Sequence, residues 1–79
     1  MPVLEEKYRI FRELLISARR TSGLTQSQLA SKLHRQQSYV SKYENGERRL
    51  DVLEFLEVAD ELKLNVTAFL KKIRAVDGI

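Results

Sequence analysis

Residues 36–46 read "QQSYVSKYENG". Set on a helical wheel, Tyr39, Val40 and Tyr43 fall on one side. Gln37, Ser38, Ser41 and Lys42 fall on the other, with Gln36 at the leading end. An ordinary solvent-facing helix carries Glu/Lys pairs, which favour helix and hydrate well. This face instead offers amides, hydroxyls and one ammonium. Such groups suit base edges. Glutamine donates and accepts together, as adenine requires; serine does either, and lysine prefers the acceptors of guanine.

Working outward, the flanking sequence reads as helix on both sides. One helix spans about Leu4 to Thr21, with Ile10, Leu14 and Ala18 along a stripe and Phe11 and Leu15 beside it. Gly23 suits a left-handed residue just past its end. Thr25 caps a short second helix, and Gln28 three residues on completes a capping box. Leu29, Ala30 and Leu33 turn inward. Asn45-Gly46 stops the third helix.

The fourth helix begins at Asp51, with Glu54 in a first turn where the helix dipole favours acids. Val52, Phe55, Leu56, Ala59 and Leu62 form its expected buried side. Asn65 caps the fifth helix, Leu64 and Phe69 have the spacing of a hydrophobic staple, and Phe69, Leu70 and Ile73 continue the apolar stripe. The expectation is an all-α, compact five-helix domain covering residues 1–79. Helices two and three are joined by a few residues, so they must cross steeply as a helix-turn-helix. That leaves the third helix protruding, and its outer face fits a B-DNA major groove.

Composition excludes several classes. The chain of 79 residues has 43% apolar and 32% charged residues, the balance of a globular domain rather than a disordered one. It has no cysteine, hence neither disulfide nor thiolate metal site. His34 is the single histidine and has no clustered ligands, so it reads as a turn residue; no metal or cofactor is expected. No convergent set of catalytic groups is legible, so an enzyme is not expected. Apolar runs such as Leu14-Leu15-Ile16 are far too short to span a bilayer, and "MPVLEEKYRI" places acids where a signal peptide carries bases. A cytoplasmic location is therefore expected.

The net charge is +3, unevenly spread. Residues 17–49 carry seven Lys/Arg against Glu44 and Glu47, whereas residues 51–61 carry five acids and no base. A basic middle beside an acidic helix gives one face suited to polyanions.

The run "LTQSQLASKLHRQQSYVSKYENGERRL" (residues 24–50) closely resembles the helix-turn-helix of Cro/C1-type (XRE) phage and bacterial repressors. Their pattern is Leu-(Thr/Ser)-Gln-x-x-Leu-Ala, a short turn, then a Gln-Ser-x-Ile-Ser-x-(Tyr/Trp)-Glu-x-Gly helix. Arg19 and Gly23 extend the match on one side and "FLEVADEL" on the other, giving a core motif of about residues 14–70 in a lambda-repressor-like DNA-binding fold. The resemblance implies base contacts from Gln37, Ser38 and Lys42, with Gln36 and Ser41 nearby. It also implies phosphate contacts from Gln26, Asn45, Arg48 and Arg49, and a structural pair between Arg19 and Glu44. Tyr39 either stacks on sugar-phosphate or covers the core edge; Tyr43 belongs to the core. The sequence departs from the pattern at His34 and Lys63, where glycine is frequent, at Leu50, where proline is frequent, and at Gln36, where Ser or Thr normally caps.

Taken together, these features lead to a sequence-specific regulator of transcription binding double-stranded DNA. It is expected to act as a homodimeric repressor on a pseudo-palindromic operator. One small domain makes few base contacts, each worth about 1–3 kcal/mol, so two copies are needed to discriminate well. Leu50, Phe69, Ile73 and Val76 are the expected dimer surface, on the ground that the C-terminal third has more apolar surface than one core needs. The rival reading is an antitoxin or adaptor that grips a toxin, polymerase or other protein through helices four and five. RNA is disfavoured, because side chains cannot enter the deep A-form major groove and no aromatic stacking platform is present.

Overall fold

The computed structural model describes residues 3–76, which form five helices: α1 (Val3–Thr21), α2 (Gln26–Lys32), α3 (Gln37–Asn45), α4 (Val52–Leu62) and α5 (Val66–Arg74). No strand occurs among the described residues.

The lengths of these helices follow from how each is started and stopped. Thr25 accepts the Gln28 N–H at 3.0 Å while the Gln28 side chain accepts the Thr25 N–H at 2.9 Å, closing the expected capping box on α2. Asp51 and Glu54 repeat the arrangement at 2.8 and 3.0 Å on α4, and Asn65 caps α5 at 2.9 Å. At the other ends, four helices stop at a residue in the left-handed region: Gly23, His34, Gly46 and Lys63. After α2, the His34 N–H reaches Ser31 O and the Arg35 N–H reaches Ala30 O, the paired bonds of a Schellman turn. Lys63 and Leu64 bond Asp60 O and Ala59 O in the same way after α4. So His34 (φ 57°) and Lys63 (φ 55°) adopt the glycine conformation despite their Cβ atoms.

The core gathers Leu15, Leu29, Ala30, Val40, Tyr43, Phe55, Val58, Ala59, Leu62 and Phe69, with contributions from all five helices. Its most deeply buried side chains are Leu15, Leu29, Val40 and Val58, with an aromatic cluster on one side. The rings of Phe11, Phe55 and Phe69 lie 5.3–5.8 Å apart pairwise, joining α1, α4 and α5. Each such pair adds about 0.5–1.5 kcal/mol beyond area burial.

Three expectations need correction. On α4, Val52 is 73% exposed and Leu56 also faces out, whereas Val58 is fully buried. The helix is apolar on most sides, and the stripe that brings Phe55 to Phe11 and Phe69 is Phe55, Val58, Ala59 and Leu62. Leu70 on α5 likewise faces solvent. Phe69, expected on a dimer surface, lies inside the core and is unavailable to a partner.

One polar contact crosses this interior. Arg19, near the end of α1, donates from Nε to Glu44 Oε2 at 2.7 Å and from Nη2 to Glu44 Oε1 at 3.0 Å, while Nη1 donates to Leu24 O at 2.9 Å. Both side chains are buried. Among the described residues no buried side-chain polar atom lacks a partner. This bidentate pair fixes the last turn of α3 against α1.

Two substitutions test this description by denaturant unfolding. Glu44→Ala strands a buried guanidinium and is expected to lower stability by about 3–5 kcal/mol. Lys63→Gly relieves a left-handed lysine and is expected to raise stability by about 0.5–1 kcal/mol, the strain released less the entropy gained by the unfolded chain.

Candidate nucleic-acid interface

The packing just described turns α3 so that Val40, Tyr43 and Glu44 are buried. Gln36, Gln37, Ser38 and Lys42 consequently lie exposed, and Ser41 is half-buried at the edge of the same face. The N-cap residue Gln36 has extended backbone but makes no side-chain cap bond. The first turn of α3 contains no acid. Its leading N–H groups and positive dipole end therefore remain available to an anion.

Behind this face runs a polar chain. Gln26, on the first turn of α2, donates from Nε2 to Glu44 Oε1 at 2.9 Å. Its own Oε1 accepts a longer bond, 3.4 Å, from Gln37 Nε2. Glu44 thus serves Arg19 and Gln26 together, and Gln26 meets the exposed Gln37. The side chain of Gln26 is committed to the fold, which leaves the backbone at the α2 N-terminus as the part of that turn facing outward.

The flank beyond α3 is shaped by Tyr39. Its half-buried ring is covered on two sides, by the Arg35 guanidinium at 4.5 Å from the centroid and by that of Arg48 at 4.7 Å. It also meets Tyr43 edge-on at 5.7 Å. Burial pushes the hydroxyls of Tyr39 and Tyr43 above the usual tyrosine range, so both stay protonated and neutral at pH 7.

Arg48 in turn forks onto Glu54, at 3.1 and 2.6 Å, and Arg35 reaches Glu57 at 3.4 Å. The Arg48 guanidinium, followed by the Asp51 N–H, holds the Glu54 carboxyl well below its ordinary range, at about 2. Glu54 therefore caps α4 and anchors the loop after α3 with one side chain.

Of the basic residues expected at the interface, Lys42 is exposed with no carboxylate partner among the described residues, and Arg49 stacks over Tyr8 at 4.0 Å. Asn45 is exposed and accepts the Glu47 N–H at 3.1 Å, stiffening the turn. The structure thus brings Gln36, Gln37, Ser38, Ser41 and Lys42 onto one face, flanked by Asn45, Arg48 and Arg49. Tyr39 lies under its arginines rather than on that face. Reading of the sequence did not find the Arg48–Glu54 fork, the arginines over Tyr39 or the link from Gln26 to Glu44. The six-residue spacing of Arg48 and Glu54 across a helix start is the only hint it offers.

Among the described residues no cluster of His, Asp or Glu could hold a metal ion, and no helix is long and apolar enough to cross a membrane.

Comparison with known proteins agrees with this geometry. The family described as "Helix-turn-helix" matches residues 15–69. A solved structure of an XRE-family like protein from Pseudomonas syringae pv. tomato str. DC3000 is 41% identical, superimposes with a TM-score of 0.88, and covers 95% of this chain and 92% of its own. A search of curated proteins returns no match. With α2 and α3 in place, the outer face of α3 bare of acids, and these likenesses over most of the sequence, the chain belongs to the XRE family of helix-turn-helix DNA-binding regulators.

Proposed function

We propose that the protein is a sequence-specific repressor that reads a pseudo-palindromic operator as a homodimer, with α3 in the major groove. The observation that carries this reading is the outward face of α3. Gln37, Ser38 and Lys42 are exposed, and the one hydrogen bond that engages their side chains, Gln37 to Gln26, is a long one. A face already satisfied internally would have to break bonds before meeting bases. This one is ready. The N-terminus of α2, Asn45 and Arg49 take phosphates on either side, fixing register without reading sequence. Arg48 contributes chiefly by holding the loop, because Glu54 neutralises it.

The exposed apolar surface favours two copies. Val52 and Leu53 are each 73% exposed, and Val52 borders an apolar cavity of about 300 Å³ shared with Leu4, Leu50, Phe55 and Ile73. Lys7 and Asp51 line the same cavity. A second copy related by a two-fold axis would cover Val52 and Leu53. In this reading the surface comprises Leu50 and Ile73 together with α4 and the first turns of α1, without Phe69.

Two measurements test these assignments. Selection of bound duplexes from a random pool is expected to return half-sites about 34 Å apart; against them, Lys42→Ala relaxes preference at one or two base positions, whereas Arg49→Ala weakens all duplexes alike and lowers the salt slope by about one. Equal behaviour of both variants and the parent on every duplex would remove α3 from the groove. In sedimentation across micromolar concentrations the parent is expected to dimerise and Val52→Lys to remain monomeric; a parent that is monomeric throughout contradicts the two-copy arrangement.

A further inference from the structure

A second cavity, of about 250 Å³, opens between α1 and the loop that follows α3. Tyr8, Arg12, Tyr43, Gly46, Arg48 and Arg49 line it. Four of the lining residues are arginines, once Arg9 is included, but their situations differ. Arg9 is held by Glu6 and Glu13, and Arg48 by Glu54. Arg12 and Arg49 have no carboxylate within ion-pair distance among the described residues. Glu5 is the one acid in the lining.

The two unpaired guanidiniums are also positioned. Arg49 Cζ sits over the Tyr8 ring, 4.0 Å from its centroid. Arg12 lies against Gly46: a Cβ built on that glycine would come within 3.2 Å of Arg12 Cζ and 3.3 Å of its Nε. The absent side chain at 46 is therefore what lets a guanidinium from α1 settle over the left-handed end of α3. Neither contact uses the donor forks. A planar fork with unspent N–H groups matches an oxyanion bidentately, and two of them beside one cavity match a doubly charged, tetrahedral group better than a single carboxylate.

We propose that this cavity binds a phosphoryl group, with Arg12 and Arg49 as its two ligands. The group comes from a free phosphate or phosphomonoester, or from a backbone phosphate of bound DNA. In the first case the small anion draws on Arg49, the residue assigned to operator phosphates, and lowers DNA affinity; that consequence rests on the proposed function, while the anion site itself does not.

The test uses the full chain without DNA, titrated with inorganic phosphate at constant ionic strength and followed by amide chemical shifts. Saturable shifts confined to residues around Tyr8, Arg12, Gly46 and Arg49, weakened about tenfold or more in Arg12→Gln, establish the free-anion source. If phosphate alone fails to saturate but Arg12→Gln lowers the salt slope of duplex binding by about one, the phosphoryl group is that of the DNA backbone. Shifts scattered over all basic surfaces and unchanged in Arg12→Gln, together with an unchanged salt slope, overturn the proposal. A role for Arg12 confined to stabilising the end of α3 would lower the unfolding midpoint of Arg12→Gln and leave both binding readouts untouched, which also overturns it.

Discussion

The buried ion pair between Arg19 and Glu44 is the constraint on which the arrangement of α3 depends. Its two hydrogen bonds, 2.7 and 3.0 Å, link the last turns of α1 and α3 across the interior. Desolvating both charges costs several kcal/mol per ion, and the pair is tolerated because each of its buried nitrogen and oxygen atoms has a hydrogen-bond partner. Leu24 O takes the third guanidinium bond and Gln26 completes Glu44. A hydrophobic pair of equal volume would pack as well, but it would not dictate the rotation of α3. The bidentate pair holds α3 in the rotation that sends Gln37, Ser38 and Lys42 outward.

The surroundings of α3 follow a division of labour by charge. The acids on α4 restrain arginines. Glu54 and Glu57 hold Arg48 and Arg35 over the two sides of Tyr39, so the acidic helix stiffens the basic flank. Lys42, Arg49 and Arg12, none of them in an ion pair among the described residues, lie on α3, on the loop after it and on the part of α1 beside that loop. What a chain with a net charge of only +3 brings to a polyanion is this sorting, rather than a large total field.

Much of this was legible in the sequence because it is local. Thr25 with Gln28, Asp51 with Glu54, and Asn65 each act within a single turn, and the structure forms all three caps. Gly23 and Gly46 fall where a helix must stop, whereas the left-handed His34 and Lys63 stand where the resemblance puts a frequent glycine. The inward face of α4 was harder to read. Val52, Leu53, Phe55, Leu56, Val58, Ala59 and Leu62 allow two apolar stripes, and only the positions of Phe11 and Phe69 select between them. The same reason hid the Arg48–Glu54 fork and the Arg12–Gly46 contact. Both are side-chain meetings between elements, which spacing along one element cannot encode. The likeness of residues 24–50 to known repressors supplied the Arg19–Glu44 pair, and the fold shows why that pair needs Gln26 beside it.

The Schellman turns have a kinetic consequence. After α2 and α4 they keep the connections short, and α2 and α3 pack chiefly on one another. A chain whose neighbours in space are mostly neighbours along the backbone loses little entropy in closing loops, and such topologies reach the native state in microseconds to milliseconds. The long-range step is the meeting of α1 with α5 through the phenylalanines. During synthesis that meeting waits for α5, the most C-terminal of the five described helices.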